Sequence, residues 1–503
     1  MKCFSNKPTF TNWSGNIRNN TDILYPINDA DLIRMIAKAV DKEKVIRVIG
    51  SAHSISGTVC QPNESKLLLI SLKKYRLGLG QPEEQIVIDH EKMTVMVNAG
   101  VTLGALYERL DDYSYFLETQ PASPAFTIGG VVSMPVHGGR LGGSLIADTI
   151  IGMTLIDMYG TVTKSETDVD MDLYRLSLGM LGIITSVTFR IHQMKDIKCD
   201  ITTYQNVFSG NRVDGKQVDE FFTDTINKCL STDKEWYYNH SFLDFHNNKL
   251  LTVNWKSSDI NPIIDIDVEN AEKITVLPTD IIQNVFYPDY RESPSYLKIL
   301  GKIVRLGVEG SVVKNRCGDN DMLWVTTGTR VYFMSYFIPI HTAGEPIDLT
   351  KLYRAFEIVK NQIDTAIRDK KTFNIDFPTD IRFVVSNNRC KASPIYNPEK
   401  KIVYMVVDLT TGPSNIELMT KNINKHYKQL NSDFREFYGS VEREWRELGG
   451  MAHYSKLFGF TDSNSDPFDE SGLKLVFDPE LKSILKNKAQ PVFVNRFVRN
   501  LIE

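Results

Sequence analysis

A chain of 503 residues with 42% hydrophobic and 24% charged side chains has the composition of an ordinary soluble globular protein, with room for two or three domains. Its 58 basic against 62 acidic side chains leave a net charge of −4, which argues against a dedicated nucleic-acid binder, since such a protein carries a basic surplus on one face. No stretch approaches the ~20 apolar residues of a membrane span, so no membrane-spanning partner surface is expected.

The chain opens with "MKCFSNKPTFTNWSGN", which lacks the apolar core of a signal peptide and sets a cytosol-like compartment as the expectation. "NDADLIRMIAKAVDKE" then predicts a helix, with an Asn/Asp start and apolar residues Leu32, Ile33, Ile36 and Val40 at helical spacing. "VIRVIG", "KLLLISL", "QIVIDH" and "MTVMVNAG" predict short strands bounded by turn residues, and "TLGALYERLDDY" a helix opened by Thr102. A Gly-rich, Pro-punctuated tract covers Gln120–Gly143, two strands flank Tyr159-Gly160, and "YRLSLGMLGIITSVTFRI" reads as short helix, glycine turn and strand. Past Lys195 aromatic, Asn and Asp residues become frequent. Long alternating strands ("LLTVNW", "RVYFMSYFIPI", "IRFVVS", "KIVYMVVDL") and the helix "DLTKLYRAFEIVKNQIDTAIRDK" predict an antiparallel sheet with helices on one face. "SSDINPIIDIDVENAEK" is expected to be a flexible insertion. The six cysteines, Cys3, Cys60, Cys199, Cys229, Cys317 and Cys390, are scattered without a CxxC pair and read as reduced thiols.

No Walker loop, no GxGxxG fingerprint behind a strand and no metal-ligand cluster is present. "GLGQP" and "GGRLGG" read as turns. Chemistry concentrates instead in three small-residue corners. In "VIRVIGSAHS" a strand stops at Gly50-Ser51-Ala52 with His53 behind it; successive N–H groups at such a turn make a nest for a pyrophosphate, with hydroxyl donors at Ser51 and Ser54. "PASPAFTIGGVVSMPVHGG" brings two Gly-Gly steps, small residues and His137 against any large planar ligand, and "SLGMLGIITSVTF" repeats the pattern with Gly179 and Gly182. Three such corners in one domain suggest one extended cofactor touching all of them.

Taken in order, "NWSGN", "VIRVIGSAHS", "TIGGVVSMPVHGG", "SLGMLGIITSVTF" and "GGMAHYSKLF" resemble the sugar-lactone and alditol oxidoreductases of the vanillyl-alcohol-oxidase superfamily, whose FAD-binding domain is of the PCMH type. The group includes gulonolactone and arabinonolactone oxidases, galactonolactone dehydrogenase and alditol oxidase. The resemblance is nearly continuous through the N-terminal region, returns in the C-terminal part, and is one of texture only over 200–340. It implies an α+β chain: a two-subdomain FAD-binding domain over 1–195, a cap domain over 196–445 with a large antiparallel sheet flanked by helices, and a segment 446–503 returning to the FAD domain and active site.

It also implies site residues. His53 stands where the family's GSGHS turn offers a histidine to the flavin C8-methyl, so FAD bound covalently through His53 is expected, with an unlinked His53 beside bound FAD as the alternative. Ala52 replaces the second glycine of that turn. Cofactor contacts are expected from Val48, Ile49, Gly50, Ser51, Ala52 and Ser54 at the first corner. At the second they come from Pro121, Ala122, Ser123, Thr127, Gly130, Met134, Pro135, Val136 and His137, and beyond the third from Ile184. Without gaps, Pro121 and Ala122 fall where relatives carry a small residue and a serine before the flavin; a one-residue shift would place Ala122-Ser123 there instead. Oxidase and dehydrogenase both stay open.

Asp380 and Arg382 in "FPTDIRFV" stand for the family's Glu-x-Arg pair, facing the flavin from one strand face; a plain salt bridge on that face is the alternative. "HYSK" stands for HWGK, which places Lys456 by the flavin's pyrimidine edge and His453, with Tyr404, at the substrate. Val406 is the next same-face neighbour of Tyr404. The resemblance therefore implies an FAD-dependent oxidoreductase acting on CH–OH groups of a sugar lactone, alditol or aldose. Hydride passes to flavin N5, Asp380, Arg382 and Lys456 serve the reacting groups, and dioxygen or another acceptor reoxidises the flavin. The alternative is an FAD-binding protein whose diverged cap acts on a non-sugar alcohol or has a structural or binding role. Oligomeric state is not legible.

Overall fold

The computed structural model describes residues 10–61, 64–121, 123–166, 168–232, 235–258, 332–411, 425–461 and 479–503. Ala122 and the expected insertion beyond Ser258 lie outside the described residues.

The N-terminal part runs β1 (Ile23–Leu24), α1 (Asp29–Asp41), β2 (Val45–Ile49), β3 (Leu67–Ser71), β4 (Ile86–Asp89), β5 (Thr94–Asn98), α2 (Leu103–Asp111), α3 (Ile128–Ser133), β6 (Ile150–Ile156), β7 (Val162–Ser165) and β8 (Ile183–Arg190). These strands make two sheets, a parallel β1-β3-β2 sheet and an antiparallel β7-β6-β8-β5-β4 sheet. Helix α1 starts where Asn28 accepts a hydrogen bond from Asp31 N at 2.9 Å, satisfying a free first-turn donor. Leu32, Ile36 and Ala39 are its buried residues; Val40, expected inward, is 37% exposed. At about 100° per residue Ala39 lies closer than Val40 to the arc set by Leu32 and Ile36. Thr102 opens α2 as expected, accepting from Ala105 N at 3.3 Å.

The second part adds β9 (Asp196–Gln205), α4 (Lys216–Leu230), β10 (Tyr237–Asp244), β11 (Lys249–Ser258), β12 (Tyr332–Thr342), α5 (Thr350–Arg368), β13 (Thr379–Val385), β14 (Ile402–Thr411), α6 (Lys425–Glu447) and β15 (Met451–Ala452). They form one sheet, β9-β11-β10-β13-β14-β12-β15, with antiparallel pairing throughout. One face carries Phe383, Val407 and Tyr336 and packs on helices: Phe383 meets Phe222 of α4 at 6.2 Å between ring centres, and Tyr336 meets Trp445 of α6 at 5.8 Å. Trp445 Nε1 donates to Ala355 O of α5 at 3.0 Å, so its indole is both buried and satisfied.

The opposite face turns to the N-terminal part, and "GGRLGG" makes the seam. Leu141 N donates to Tyr237 O and Asn239 N to Gly139 O, while Val385 N donates to Gly143 O, each at 2.8 Å. Read from sequence as a turn, this segment is a backbone bridge onto the ends of β10 and β13. Past β15 the chain returns to the first part through α7 (Pro479–Lys488) and α8 (Arg496–Ile502), where Asn495 caps α8 and donates to Gly57 O at 2.9 Å. No helix among the described residues is long and apolar enough to cross a membrane.

Candidate active site

The first corner follows β2. Gly50 sits so close to Thr127 that an added Cβ would lie 2.0 Å from its Oγ1, so only glycine fits without moving that side chain. Ser51 Oγ donates to Ala125 O, tying the first corner to the second. Ala52 has φ +58°, the left-handed conformation in which the family's glycine costs nothing and an alanine is strained by roughly 1–2 kcal/mol. Trp13 N holds that conformation by donating to Ala52 O at 2.8 Å. The His53 ring is stacked on Trp13 (5.2 Å, 24°) and meets Phe126 edge-on at 4.8 Å. Its Nδ1 is buried without a hydrogen-bond partner among the described residues, and burial, helped by the charge of Lys456, pushes its pKa down to about 4. Ser54 O accepts from Asn12 Nδ2 at 2.9 Å, which gives "NWSGN" its role as a brace. Val48 is exposed while Ile49 is buried, as alternation along a strand requires.

The second corner is not one flat loop. Pro121 and Ser123 are buried, Thr127 precedes α3, Gly130 lies within that helix, and Met134, Pro135 and Val136 lead out of it to His137. Gly129 packs against Ala99, where an added Cβ would lie 3.3 Å from its carbonyl oxygen, so this glycine serves helix packing rather than ligand access. The third corner, with Gly179 at φ +71° and Gly182 at φ +150°, leads into β8 and Ile184. Leu176 N donates to Val132 O at 3.2 Å, joining the third corner to the second. Arg47 joins it to the first. Fully buried in β2, this guanidinium donates to Thr58 O (2.9 Å), Leu178 O (2.5 Å) and Phe493 O (2.6 Å). Burial pulls it down to about 10 even against the opposing charge of Glu64. Sequence reading missed Arg47; a charged residue inside a β-branched strand was the available signal.

All three corners thus converge. The glycine seat at Gly50, the braced left-handed Ala52 and the unpartnered, aromatic-clamped imidazole nitrogen of His53 fit an extended flavin cofactor at this place.

The sheet's inner face supplies the rest. Register places Phe242, Asp380, Asp408 and Ser335 directly opposite one another across four strands. Two residues along each strand, on the same face, come His240, Arg382, Val406 and Phe337. Arg382 Nη2 lies 3.2 Å from Asp380 Oδ2 and 3.1 Å from His240 Nε2, and the same His240 nitrogen lies 2.8 Å from Asp380 Oδ1. Burial works to raise the Asp380 carboxyl, but Arg382 and His240 outweigh it and hold it below the usual carboxylate range. Tyr404, buried and pushed up by burial, is on this face opposite Val384.

"HYSK" closes the site. His453 N donates to Ser335 O at 2.9 Å, and its ring stacks on Phe337 (5.9 Å, 16°) and approaches His137 at 6.3 Å. His137 also meets Phe337 at 5.7 Å, and burial with Arg382 nearby takes its pKa down to about 3. Ile55 N and Ser56 N both donate to Ser455 O, at 2.7 and 3.3 Å, so the motif is clamped to the first corner. Lys456 Nζ lies 4.3 Å from the Phe333 ring centre, and burial lowers the ammonium's pKa while Asp408 opposes the shift. The HYSK segment therefore joins the His53 corner to the Asp380–Arg382–Lys456 group. His240, Asp408 and Ser335, absent from the sequence reading, belong to it.

A two-part N-terminal unit under a sheet-built cap is the architecture of a PCMH-type FAD-binding protein. Residues 22–166 match a family model described as an FAD binding domain. The chain is 25% identical to the L-gulonolactone oxidase of Scyliorhinus torazame over 254 residues, 46% of this chain and 55% of the relative. It is 27% identical to L-gulonolactone oxidase 3 of Arabidopsis thaliana over 257 residues (48% and 41%), and 26% identical to the D-arabinono-1,4-lactone oxidase of Candida glabrata over 204 residues (39% and 38%). It thus spans about half the length of the curated relatives it matches, or less. The fold superposes on cholesterol oxidase from B. sterolicum with a TM-score of 0.72 at 15% identity, covering 98% of this chain and 96% of that one. For the glucooligosaccharide oxidase of Acremonium strictum, described with a 6-S-cysteinyl, 8α-N1-histidyl FAD, the values are 0.58, 14%, 97% and 94%. Residues 22–166 therefore form an FAD-binding domain, with FAD as its cofactor, and the whole chain shares the fold of these oxidases.

Proposed function

We propose that this protein oxidises the CH–OH group of a sugar-derived alcohol (a sugar lactone, alditol or aldose) with FAD linked to His53 and with dioxygen or another acceptor as the final oxidant. The carrying observation is the buried Asp380–Arg382 pair on the sheet's inner face, with Lys456 beside it on the segment clamped to the His53 corner. Bound FAD supplies the two-electron acceptor for the hydride leaving carbon. Arg382, fixed by Asp380, polarises the substrate oxygen. Asp380, ionised in the resting site, takes the hydroxyl proton, and Lys456 balances negative charge formed on the cofactor side. The relatives that carry lactone substrates in their names support the substrate class.

Anaerobic mixing of the purified holoprotein with a panel of lactones, alditols, aldoses and apolar alcohols tests this. Flavin bleaching by a sugar-derived member is the expected result; no bleaching by any member refutes an enzymatic role. Bleaching by apolar alcohols alone moves the substrate to a class that the apolar neighbours Val406, Phe242 and Phe337 favour. Acid precipitation reads the His53 link: a yellow pellet that turns clear in His53→Ala supports it, and a clear wild-type pellet under a yellow supernatant refutes it.

A further inference from the structure

We propose that Asp408 and Asp380 form a carboxylate pair that holds one proton between them, and that Asp408 thereby sets how strongly Asp380 takes a proton from the substrate. The inference rests on the reading of Asp380 as the proton acceptor. The two residues are directly opposed on β13 and β14 and point to the same face, where opposing Cα atoms are ~4.5–5.5 Å apart. Two carboxylates so placed and shielded from water cannot both ionise cheaply.

Their surroundings divide the roles. Asp380 is bound by Arg382 from its own strand and by His240 from β10. Asp408 has neither; its Oδ1 is shut from solvent with no hydrogen-bond partner among the described residues, and its neighbour on β12 is the uncharged Ser335. Lys456 is the cation facing it from the C-terminal segment, with Arg382 further off, and His137 and His453 stand neutral at the edge of the group. Burial first, then Asp380, push Asp408 above the usual carboxylate range, while Lys456 pulls the other way. In the resting pair Asp380 carries the charge and Asp408 the proton.

During turnover the substrate O–H bond breaks and its proton goes to Asp380, while the hydride and its two electrons leave carbon for the oxidised flavin. Losing the Asp408 proton as pH rises puts a second negative charge beside Asp380 and makes it the stronger base. Flavin reduction in the wild type is therefore expected to rise about tenfold along that limb, the Brønsted response to a nearby unit charge. Asp408→Asn, neutral at every pH, should stay flat at the low-pH level, and Asp380→Asn should be slow at all pH.

Infrared spectra of the holoprotein read the pair without substrate. A carboxylic-acid carbonyl band at neutral pH, moved by deuterium exchange and missing from Asp408→Asn, is expected. Absence of that band from the wild type, or a wild-type pH limb kept in Asp408→Asn, overturns the proposal. Should no panel alcohol bleach the flavin, the substrate reading falls while the band still decides the pair. If Asp408→Asn yields no holoprotein, Asp380→Asn decides it: removing the neighbouring charge should lower the pH at which the band disappears, and an unmoved band overturns the pair.

Discussion

Replacing Arg47 by alanine tests whether the corners are held as one unit. The side chain makes three hydrogen bonds to carbonyls on three separate segments, at Thr58, Leu178 and Phe493, and is fully buried. Truncation strands three buried carbonyls at about 1–3 kcal/mol each and removes a desolvated charge that opposed folding, for a net loss of about 4 kcal/mol. With an unfolding entropy of ~2.1 cal/mol/K per residue, that loss lowers Tm by about 4 °C if the chain melts as one unit, and by about 10 °C if an N-terminal unit of ~200 residues melts alone. Arg47→Lys, which keeps a charge but loses the planar fork, should fall between. Differential scanning calorimetry of the holoprotein, with flavin retained after gel filtration as a second readout, checks both. A variant that melts within about 1 °C of wild type and keeps its full flavin content would refute the idea that Arg47 ties the corners together.

Other perturbations follow from single positions. Ala52→Gly relieves the left-handed backbone at φ +58° and, after the added freedom of the unfolded glycine, should stabilise the protein by about 0.5–1 kcal/mol in a chemical melt; a loss of stability contradicts the strain. Gly50→Ala drives a Cβ into Thr127 and should cost about 1–3 kcal/mol and weaken flavin retention, with partial recovery on adding Thr127→Ala; an unaffected single variant contradicts the close seat. His53, His137, His240 and His453 all have pKa values below the usual one, so below pH ~6.5 the unfolded chain binds more protons than the folded one. Stability is accordingly full above that value and lost as pH falls toward the folded values, about 4 for His53 and about 3 for His137. Asp148, raised to about 6 by burial, opposes this, as do Asp408 and Glu442, also raised by burial, but they are fewer than the lowered imidazoles. Thermal melts from pH 7.5 to 4.5 should show a falling Tm, and a Tm that rises on acidification refutes the assignment of these rings as buried and neutral.

The strands and corners of the N-terminal part were legible because each is a short run with a local signal at its end: Asn28, Thr102, or a small-residue turn. The helices α4 and α6 were not. Their buried faces use aromatic and polar residues such as Phe222, Thr225, Trp445 and Glu442, so the stripe is defined by packing on the sheet rather than by aliphatic spacing. At the candidate site, residues adjacent in sequence or carried by a motif were named from sequence: His53, Asp380, Arg382, His453, Lys456. Those that reach it by pairing between strands were not. Asp408 and His240 face Asp380 and Arg382 only after β10, β13 and β14 align, and no spacing within one strand encodes that register.

The clamp between Ile55, Ser56 and Ser455, with Arg47 reaching Phe493, carries a consequence for biosynthesis. The two sides of these contacts leave the ribosome some four hundred residues apart, so an emerging chain exposes the early side long before its counterpart exists. Coenzyme capture is thereby deferred until translation has passed the late segment. A nascent polypeptide stalled before Ser455 should remain colourless.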